Sequence, residues 1–275
     1  MISKSATIHP TAIIAEGAIV KDGCFIGPYC CVGENVILNE NVRLESHVVI
    51  SGNTSVGFGV TIYPFASLGQ KPQDLKYDNE KSNLEIGKNT VIREYVTANI
   101  GTKGGGMLTK IGDNCLIMAY CHVAHDCMIG NNVILTNGVN LSGHVNIGDF
   151  AIIGGMSVVK QFVRIGKRAI IGGYSGIDRD VIPYALARSD RNATIRGLNI
   201  IGLKRNGFDI DIIKEMLDAY SDIFSIKNSG SQLIERIELA KEKYIDNKYV
   251  MEIIEFIKEK SKNPLCTEIP TDESQ

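Results

Sequence analysis

Apolar residues recur at every sixth position over the first two thirds of the chain. With Ile8 as the first position of a hexad, the same phase holds as far as Leu68, returns at Ile86 and Ile92, and continues after a slip of one residue to Ile177. The fifth position of the hexad is small in nearly every repeat, and glycine recurs at the second. A six-residue period of this kind predicts a parallel β-helix.

The period also predicts how the side chains are arranged. Each hexad forms one short strand whose first residue points inward, and three hexads close a triangular coil of about 18 residues. Residues one coil apart therefore stack on successive rungs. Two polar segments, residues 69–85 and 99–110, interrupt the repeat. We expect both to leave the coils as loops, and long excursions from a regular repeat commonly serve function.

The hexads stop after Pro183, and the spacing becomes helical from about Asn192 onward. Ile213, Met216 and Tyr220 fall on one stripe of an amphipathic helix. The sequence therefore predicts a β-helix over residues 1–190 and a helical domain over residues 191–275, ending in a disordered tail.

Composition narrows the class of protein. The chain has 29 basic and 31 acidic residues and a net charge of -2, which does not favour nucleic-acid binding. No apolar run is long enough to span a membrane, and the first residues lack the apolar core of a signal peptide, so we expect a cytoplasmic protein. Most of the cysteines occupy the small fifth position, where they act as packing thiols rather than as disulfide or zinc ligands. These are Cys24, Cys30, Cys115, Cys121 and Cys127.

Three histidines fall within two consecutive predicted coils and suggest a site. The coil length places His125, Gly143 and Gln161 in one outward column, with Asp126, His144 and Phe162 in the column beside it. His122 lies on the adjacent face, where Asn137, Gly155 and Gly173 form a column almost free of side chains. A groove of this kind beside a base suits a chain-like substrate.

The runs HPTA, GQKPQDLKY, CHVAHDC, LSGHV, IGGYSG and NIIGLKR closely resemble the bacterial UDP-N-acetylglucosamine acyltransferases, over essentially the whole chain. The resemblance implies a left-handed parallel β-helix followed by a C-terminal α-helical domain. It also implies a homotrimer with its active site between neighbouring prisms. The implied reaction moves an (R)-3-hydroxyacyl group from acyl carrier protein to the 3-hydroxyl of the sugar in UDP-N-acetylglucosamine, the first step of lipid A synthesis. Neither a metal nor a cofactor is implied beyond the donor's phosphopantetheine arm.

The resemblance also assigns roles to residues. His125 corresponds to the general base, Asp126 to the carboxylate that orients it, and the Gly143 amide to the oxyanion donor. The implied substrate-positioning residues are Asp74, Lys76, His122, His144 and Gln161, with Asn199 and Arg205 for the nucleotide and its diphosphate. The chain departs from the family pattern at Lys160, Ile201 and Asn206, which leaves the nucleotide contacts there open.

Three other classes share parts of the pattern. Zinc hydratases of the γ-carbonic anhydrase type also place three histidines on a β-helix, although with wider spacing than His122 and His125 show. The later N-acyltransferase of the same pathway has a separate domain before its hexads, whereas the hexads here begin at Ile8. A non-catalytic hexapeptide scaffold has no need of the histidine cluster. The sequence does not determine the length of the acyl chain, or whether the acceptor carries a 3-hydroxyl or a 3-amino group.

Overall fold

The computed structural model describes residues 1–189, 193–224 and 232–267. Very short parallel strands wind into a β-helix with three faces, and most strands contain only two residues. Non-glycine residues with positive φ recur at its corners, among them Tyr120, Asp126 and His144. A left-handed backbone at one residue turns the chain sharply, so the next strand begins on the next face.

Each face is a parallel ladder of strands from successive coils. Face 1 contains β1 Thr7–Ile8, β4 Phe25–Ile26, β7 Arg43–Leu44, β10 Thr61–Ile62, β13 Val91–Ile92, β16 Leu116–Ile117, β19 Ile134–Leu135, β22 Ile152–Ile153, β25 Ile170–Ile171, β27 Ala185–Ser189 and β28 Ala193–Leu198. Face 2 contains β2 Ile13–Ile14, β5 Cys31–Val32, β8 Val49–Ile50, β11 Ser67–Gln70, β14 Thr97–Asn99, β17 His122–Val123, β20 Asn140–Leu141, β23 Val158–Val159 and β26 Gly176–Ile177. Face 3 contains β3 Ile19–Val20, β6 Ile37–Leu38, β9 Asn53–Val56, β12 Asn83–Ile86, β15 Leu108–Ile111, β18 Met128–Ile129, β21 Asn146–Ile147 and β24 Arg164–Ile165.

The predicted register is confirmed by the strand pairing. On face 2, Val123 pairs with Leu141, Leu141 with Val159, and Val159 with Ile177, and all four side chains are buried. Burial of an aliphatic side chain contributes about 1.5–3 kcal/mol, so columns of this kind stabilise the prism from end to end. The five cysteines at the fifth position are buried and unbridged, as predicted for packing thiols.

Both loops leave the prism at the corner between face 2 and face 3. The first connects β11 to β12 and the second connects β14 to β15, so each is shorter than the sequence predicted. The difference arises because β12 pairs along all four of its residues with both β9 and β15, which extends the ladder into the polar segment. The second loop contains a short 3-10 helix, Lys103–Gly105.

The end of the prism differs from the prediction. Helix was expected from about Asn192, but Ala193–Leu198 is the strand β28, which pairs antiparallel with β27 and closes face 1. The apolar side chains of this strand cover the last coil, and this tertiary packing favours a strand where the sequence pattern predicted a helix. The helices are α1 Ile200–Arg205, α2 Ile210–Phe224, α3 Leu233–Lys243 and α4 Lys248–Lys258.

The chain returns to the prism after α4. The Asp180 amide donates to the Pro264 carbonyl, and the Cys266 amide donates to the Asp180 carbonyl, so the predicted disordered tail is ordered as far as Thr267. The rest of that tail lies outside the described residues. Among the described residues, no helix combines the length and apolar character needed to cross a lipid bilayer.

Candidate active site

The corner between faces 2 and 3 carries the predicted histidine column. His125 follows β17 at this corner, one rung above the second loop and two rungs above the first. The polypeptide therefore brings both polar excursions to the edge of the prism where the histidine lies. This convergence follows from the hexad register, because loops inserted at one corner stack as the strands do.

His125 and Asp126 form a buried pair. His125 Nδ1 lies 2.7 Å from Asp126 Oδ2, and the two residues are 5% and 4% exposed. Burial raises the pKa of Asp126, but hydrogen bonds from His125 and from the side chain and amide of Thr102 outweigh it and hold the pKa below its ordinary value. An ionised carboxylate only accepts hydrogen bonds, so Nδ1 of His125 is the donor, and in the neutral ring Nε2 carries the lone pair. That tautomer is the one a general base requires.

His144 stands one rung higher, beside the same carboxylate. Its Nδ1 lies 3.7 Å from Asp126 Oδ2, and its ring stacks on Phe162 with the centroids 4.3 Å apart. Burial lowers the pKa of His144, while the carboxylates of Asp126 and Asp74 act in the opposite direction. Of these two carboxylates Asp126 has the larger effect, and Asp74 on the first loop has the smaller one.

His122 lies on face 2 in β17, half-buried, and is fixed by a strand neighbour. Its Nδ1 is 2.7 Å from Thr97 Oγ1, one rung below, and the two groups share a hydrogen bond. Burial lowers the pKa of His122, and so, to a smaller extent, does the repulsion that a protonated His125 ring would exert on a protonated His122. A neutral imidazole at this position can donate to or accept from a sugar hydroxyl.

Gly143 lies directly above His125, as the coil length predicted. A Cβ built on Gly143 would be 2.5 Å from His125 Cε1 and 2.7 Å from Nε2, so the basic edge of the imidazole occupies the space that a side chain would take. Gly143 is buried, and in the described part of the chain its amide has no hydrogen-bond acceptor. A buried amide without a partner is available to an oxyanion. Gln161 completes the column, exposed, and its carbonyl accepts from Asn263.

The predicted glycine column forms a groove at the corner between faces 1 and 2. A Cβ on Gly173 would contact the Gly155 carbonyl at 3.3 Å, and one on Gly155 would contact the Asn137 carbonyl at 3.2 Å, so the three positions stack. Met156 and Val158 lie beside them, 57% and 50% exposed. The groove is therefore an open apolar strip that rises from the level of the histidines.

The first loop presents Asp74 and Lys76 on a tight turn. The Lys76 amide donates to Asp74 Oδ1 at 3.0 Å, and the Tyr77 amide donates to the Asp74 carbonyl. Leu75, between them, is fully exposed at the tip of the turn. The Lys76 side chain is also exposed, and the structure shows no contact from it to the histidines among the described residues.

Asn199 and Arg205 do not join the histidine cluster within one chain. They line a cavity of about 540 Å³ on face 1, bounded by Ile134, Ile152 and Ile170. Face 1 is opposite the corner that carries His125, because the prism is triangular. Asn199 is also the N-cap of α1, accepting from the Gly202 amide and donating to the Arg168 carbonyl.

Sequence reasoning missed Thr97, Thr102 and Lys262. Lys262 Nζ lies 3.7 Å from the centre of the Phe162 ring, at the top of the His144 column. Thr102 contacts Asp126 across an insertion that breaks the coil length, so spacing alone could not connect them. The cluster of three glycines that follows it, GTKGGG, was the available signal for a close approach of backbone.

Three residues of the site carry atoms that could bind a metal ion. One potential ligand atom from each of His125, Asp126 and His144 lies within 4.8 Å of the others. However, Asp126 Oδ2 already accepts from His125 Nδ1 and from the Thr102 hydroxyl, at 2.7 and 2.5 Å. Zinc would have to replace both donors, because its ligands lie at about 2.0–2.2 Å from the ion. The arrangement fits a base and its orienting carboxylate better than a metal centre.

Stacked hexapeptide coils, with a buried histidine and aspartate at one edge of face 2 and a strip of glycines at the other, define a β-helical transferase. Consistently, residues 17–52 and 108–143 match the model "Bacterial transferase hexapeptide (six repeats)". Residues 180–266 match "Udp N-acetylglucosamine O-acyltransferase; Domain 2". The acyl-[acyl-carrier-protein]–UDP-N-acetylglucosamine O-acyltransferase of Rickettsia canadensis (strain McKiel) is 51% identical over 262 residues, covering 95% of this chain and 98% of its own. The chain therefore belongs to the acyl-[acyl-carrier-protein]–UDP-N-acetylglucosamine O-acyltransferase family.

Solved structures support the same family. The UDP-N-acetylglucosamine O-acyltransferase of Moraxella catarrhalis has a TM-score of 0.89 and 40% identity, covering 94% of this chain and 98% of its own. The enzyme of Campylobacter jejuni has a TM-score of 0.87 and 37% identity, covering 96% and 100%. The predicted family, the left-handed β-helix with helical domain and the classification as an acyltransferase are thereby confirmed. The zinc hydratase and scaffold alternatives are not favoured.

Proposed function

We propose that the chain transfers an (R)-3-hydroxyacyl group from acyl carrier protein to the 3-hydroxyl of the sugar in UDP-N-acetylglucosamine, as the first step of lipid A synthesis. The observation that carries the proposal is the buried His125–Asp126 pair lying directly under the Gly143 amide. It supplies a base and an oxyanion donor within one rung of each other. Family membership provides the identity of donor and acceptor.

His125 Nε2 removes the proton from the sugar 3-hydroxyl as its oxygen attacks the thioester carbonyl. A positioned base is worth about 10²–10⁴ in rate. The Gly143 amide donates to the oxyanion of the tetrahedral intermediate, and Asp126 stabilises the imidazolium that forms. Collapse of the intermediate expels the pantetheine thiolate, which takes the proton back from His125. The protein groups supply every proton transfer, so we propose that the reaction uses no resident cofactor or metal.

The surrounding residues position the substrates. His122 and His144 are neutral donors or acceptors on either side of the base, and Gln161 lies further along the column. Asp74 and Lys76 come from the first loop, and the Asp74 carboxylate acts to raise the pKa of His144. The strip formed by Asn137, Gly155 and Gly173 accommodates the acyl chain, because it offers length and an apolar wall without side chains across it.

We infer that the active site is completed between copies of the chain, as in a homotrimer. The face 1 cavity with Asn199 and Arg205 is remote from His125 in one chain, and Leu75 is fully exposed at the tip of the first loop. A neighbouring prism that presented face 1 to the His125 corner would bring the nucleotide residues to the base and would cover Leu75. Light scattering should then report a trimer.

Subunit mixing tests this arrangement. His125→Ala and Arg205→Ala chains should each be impaired alone, but coexpressed chains should regain part of the activity, since some interfaces join an intact His125 to an intact Arg205. Mixed oligomers with no more activity than either parent would contradict a shared site.

We propose that the enzyme works in the cytoplasm. All seven cysteines are free, and six of them are buried. Unpaired thiols are typical of proteins that live in a reducing compartment. Acyl carrier protein, the proposed donor, is expected in the same compartment.

The direct test of function uses purified protein. A panel of acyl carrier protein thioesters of different chain length should be incubated with UDP-N-acetylglucosamine or its 3-amino analogue, and products should be measured by mass spectrometry. Transfer of a 3-hydroxyacyl group to the 3-hydroxyl supports the proposal. Transfer to the amine alone would change the acceptor, and no transfer from any thioester would refute the function.

A further inference from the structure

The Asp126 carboxylate is held by more than His125. The Thr102 amide donates to Oδ1 at 2.7 Å, and the Thr102 hydroxyl donates to Oδ2 at 2.5 Å, the same oxygen that accepts from His125 Nδ1. The Asp126 side chain has no solvent exposure, and Thr102 is 5% exposed. Water therefore does not replace these donors, and the second loop supplies two of the three hydrogen bonds that the described residues make to this carboxylate.

Gly105, three residues after Thr102 in the same turn, also lies against the Asp126 carboxylate. A Cβ built on Gly105 would overlap the Asp126 carboxylate, whereas one on Gly104 would meet only Thr102 Oγ1, at 3.9 Å. Neither glycine has a positive φ, so the backbone of both positions accepts alanine. The need for glycine at position 105 is thus a need for space over the carboxylate.

The turn is itself fixed by the first loop. The Lys103 amide donates to Glu80 Oε1 at 2.9 Å, and the Ser82 hydroxyl donates to the Gly101 carbonyl. The hydrogen bond from the Lys103 amide is the main cause that lowers the pKa of Glu80, which keeps this acceptor charged. The second loop is therefore hydrogen-bonded to the first loop at the residues before and after Thr102, and this fixes the position of the donors to Asp126.

The backbone conformation of Asp126 explains why its carboxylate needs several hydrogen-bond donors. Asp126 has φ of +60°, a left-handed conformation that non-glycine residues adopt at some cost, and its amide donates to the buried Thr109 hydroxyl at 2.7 Å. An aspartate adjacent to its histidine in sequence reaches back to Nδ1 only in a narrow range of backbone and side-chain angles. Donors on both carboxylate oxygens restrict that range.

We propose that Thr102 and Gly105 are positioning residues that hold Asp126 in the orientation in which it keeps Nδ1 of His125 as donor and Nε2 as base. The inference rests on the proposed catalytic role of the His125–Asp126 pair. It assigns the second loop a part in the chemistry that is separate from substrate binding, because these residues act on the substrate only through Asp126.

The hydroxyl is tested by Thr102→Val, which preserves the shape of the side chain. A hydrogen bond to a charged group corresponds to about a 10- to 100-fold effect, so kcat should fall in that range while KM for UDP-N-acetylglucosamine stays unchanged. Thr102→Ser should restore most of the activity. The melting temperature of each variant separates loss of folding from loss of orientation.

The decisive measurement repeats Thr102→Val in an Asp126→Ala background. If Thr102 acts through the carboxylate, the valine should have no further effect on kcat there. An equal loss in both backgrounds would overturn the inference while leaving the catalytic pair intact. Conversely, wild-type activity in His125→Ala would refute the proposed base itself, so the two failures are distinguishable.

Space over the carboxylate is tested by a matched pair of variants. Gly105→Ala should lower kcat strongly because its methyl group displaces Asp126, whereas Gly104→Ala, one residue earlier in the same turn, should retain wild-type kcat. Equal kcat in the two variants would show that Gly105 does not position Asp126.

Discussion

Adding one methyl group at Gly143 should disable the active site without unfolding the protein. The Cβ of Gly143→Ala would lie 2.5 Å from His125 Cε1 and 2.7 Å from Nε2. Carbon atoms in ordinary contact are about 3.5–4.0 Å apart, so the imidazole or the Gly143 backbone must move by about 1 Å. The base and the oxyanion donor would then no longer be aligned with each other.

A displacement of about 1 Å in a catalytic group costs on the order of 10²-fold in rate, and loss of one oxyanion donor costs about 10²–10³-fold. We therefore expect kcat of Gly143→Ala to fall by at least about 10²-fold, with a small change in KM for UDP-N-acetylglucosamine. Initial rates with a saturating acyl donor measure kcat, and thermal unfolding checks the fold. A folded Gly143→Ala enzyme that works within a few-fold of wild type would refute the placement of the base beneath this residue.

Three further predictions follow from the site and its groove. Exhaustive chelation should leave activity unchanged; stoichiometric zinc whose removal abolishes activity would favour a metal centre. Gly173→Met should shift donor preference toward shorter acyl chains because the added side chain blocks the strip, and an unchanged profile in a thioester panel would exclude Gly173 from the acyl path. Burial lowers the pKa of His122 and His144 below 6.5 in the folded protein. Below about pH 6.5 the unfolded chain therefore binds more protons than the folded protein, and the free energy of unfolding should decrease as the pH falls. The urea midpoint should therefore decrease with falling pH, and it should decrease less in His122→Gln than in the wild type. An equal decrease in the two proteins would exclude His122 as a cause.

The hexad spacing predicts most of the prism and the centre of the site. It places Gly143 over His125 and stacks Gly173 on Gly155, because a constant number of residues per coil turns sequence distance into position. The same arithmetic fails wherever an insertion breaks the coil. Thr102 contacts Asp126 from such an insertion, and its role depends on how the second loop folds over the corner.

The end of the prism could not be predicted from periodicity. Residues 193–198 pair with β27 because their apolar side chains cover the last coil, and that tertiary contact overrides the local helical pattern. The positions of Asn199 and Arg205 follow from the packing of α1 on face 1, where Leu203 is buried. Sequence reasoning identified these residues by resemblance but could not show that they lie opposite His125 in one chain.

The most direct test of the account is the activity of His125→Ala with acyl carrier protein thioester and UDP-N-acetylglucosamine. We expect kcat to fall by about 10²–10⁴-fold in an enzyme that still folds and still binds UDP-N-acetylglucosamine, because the side chain lies outside the apolar core. The melting temperature should fall modestly, since the buried Asp126 carboxylate loses one hydrogen-bond donor. Asp126→Asn should cost less, since it leaves the base in place. A folded His125→Ala enzyme that turns over within a few-fold of wild type would contradict the account and leave His122 or His144 as the base.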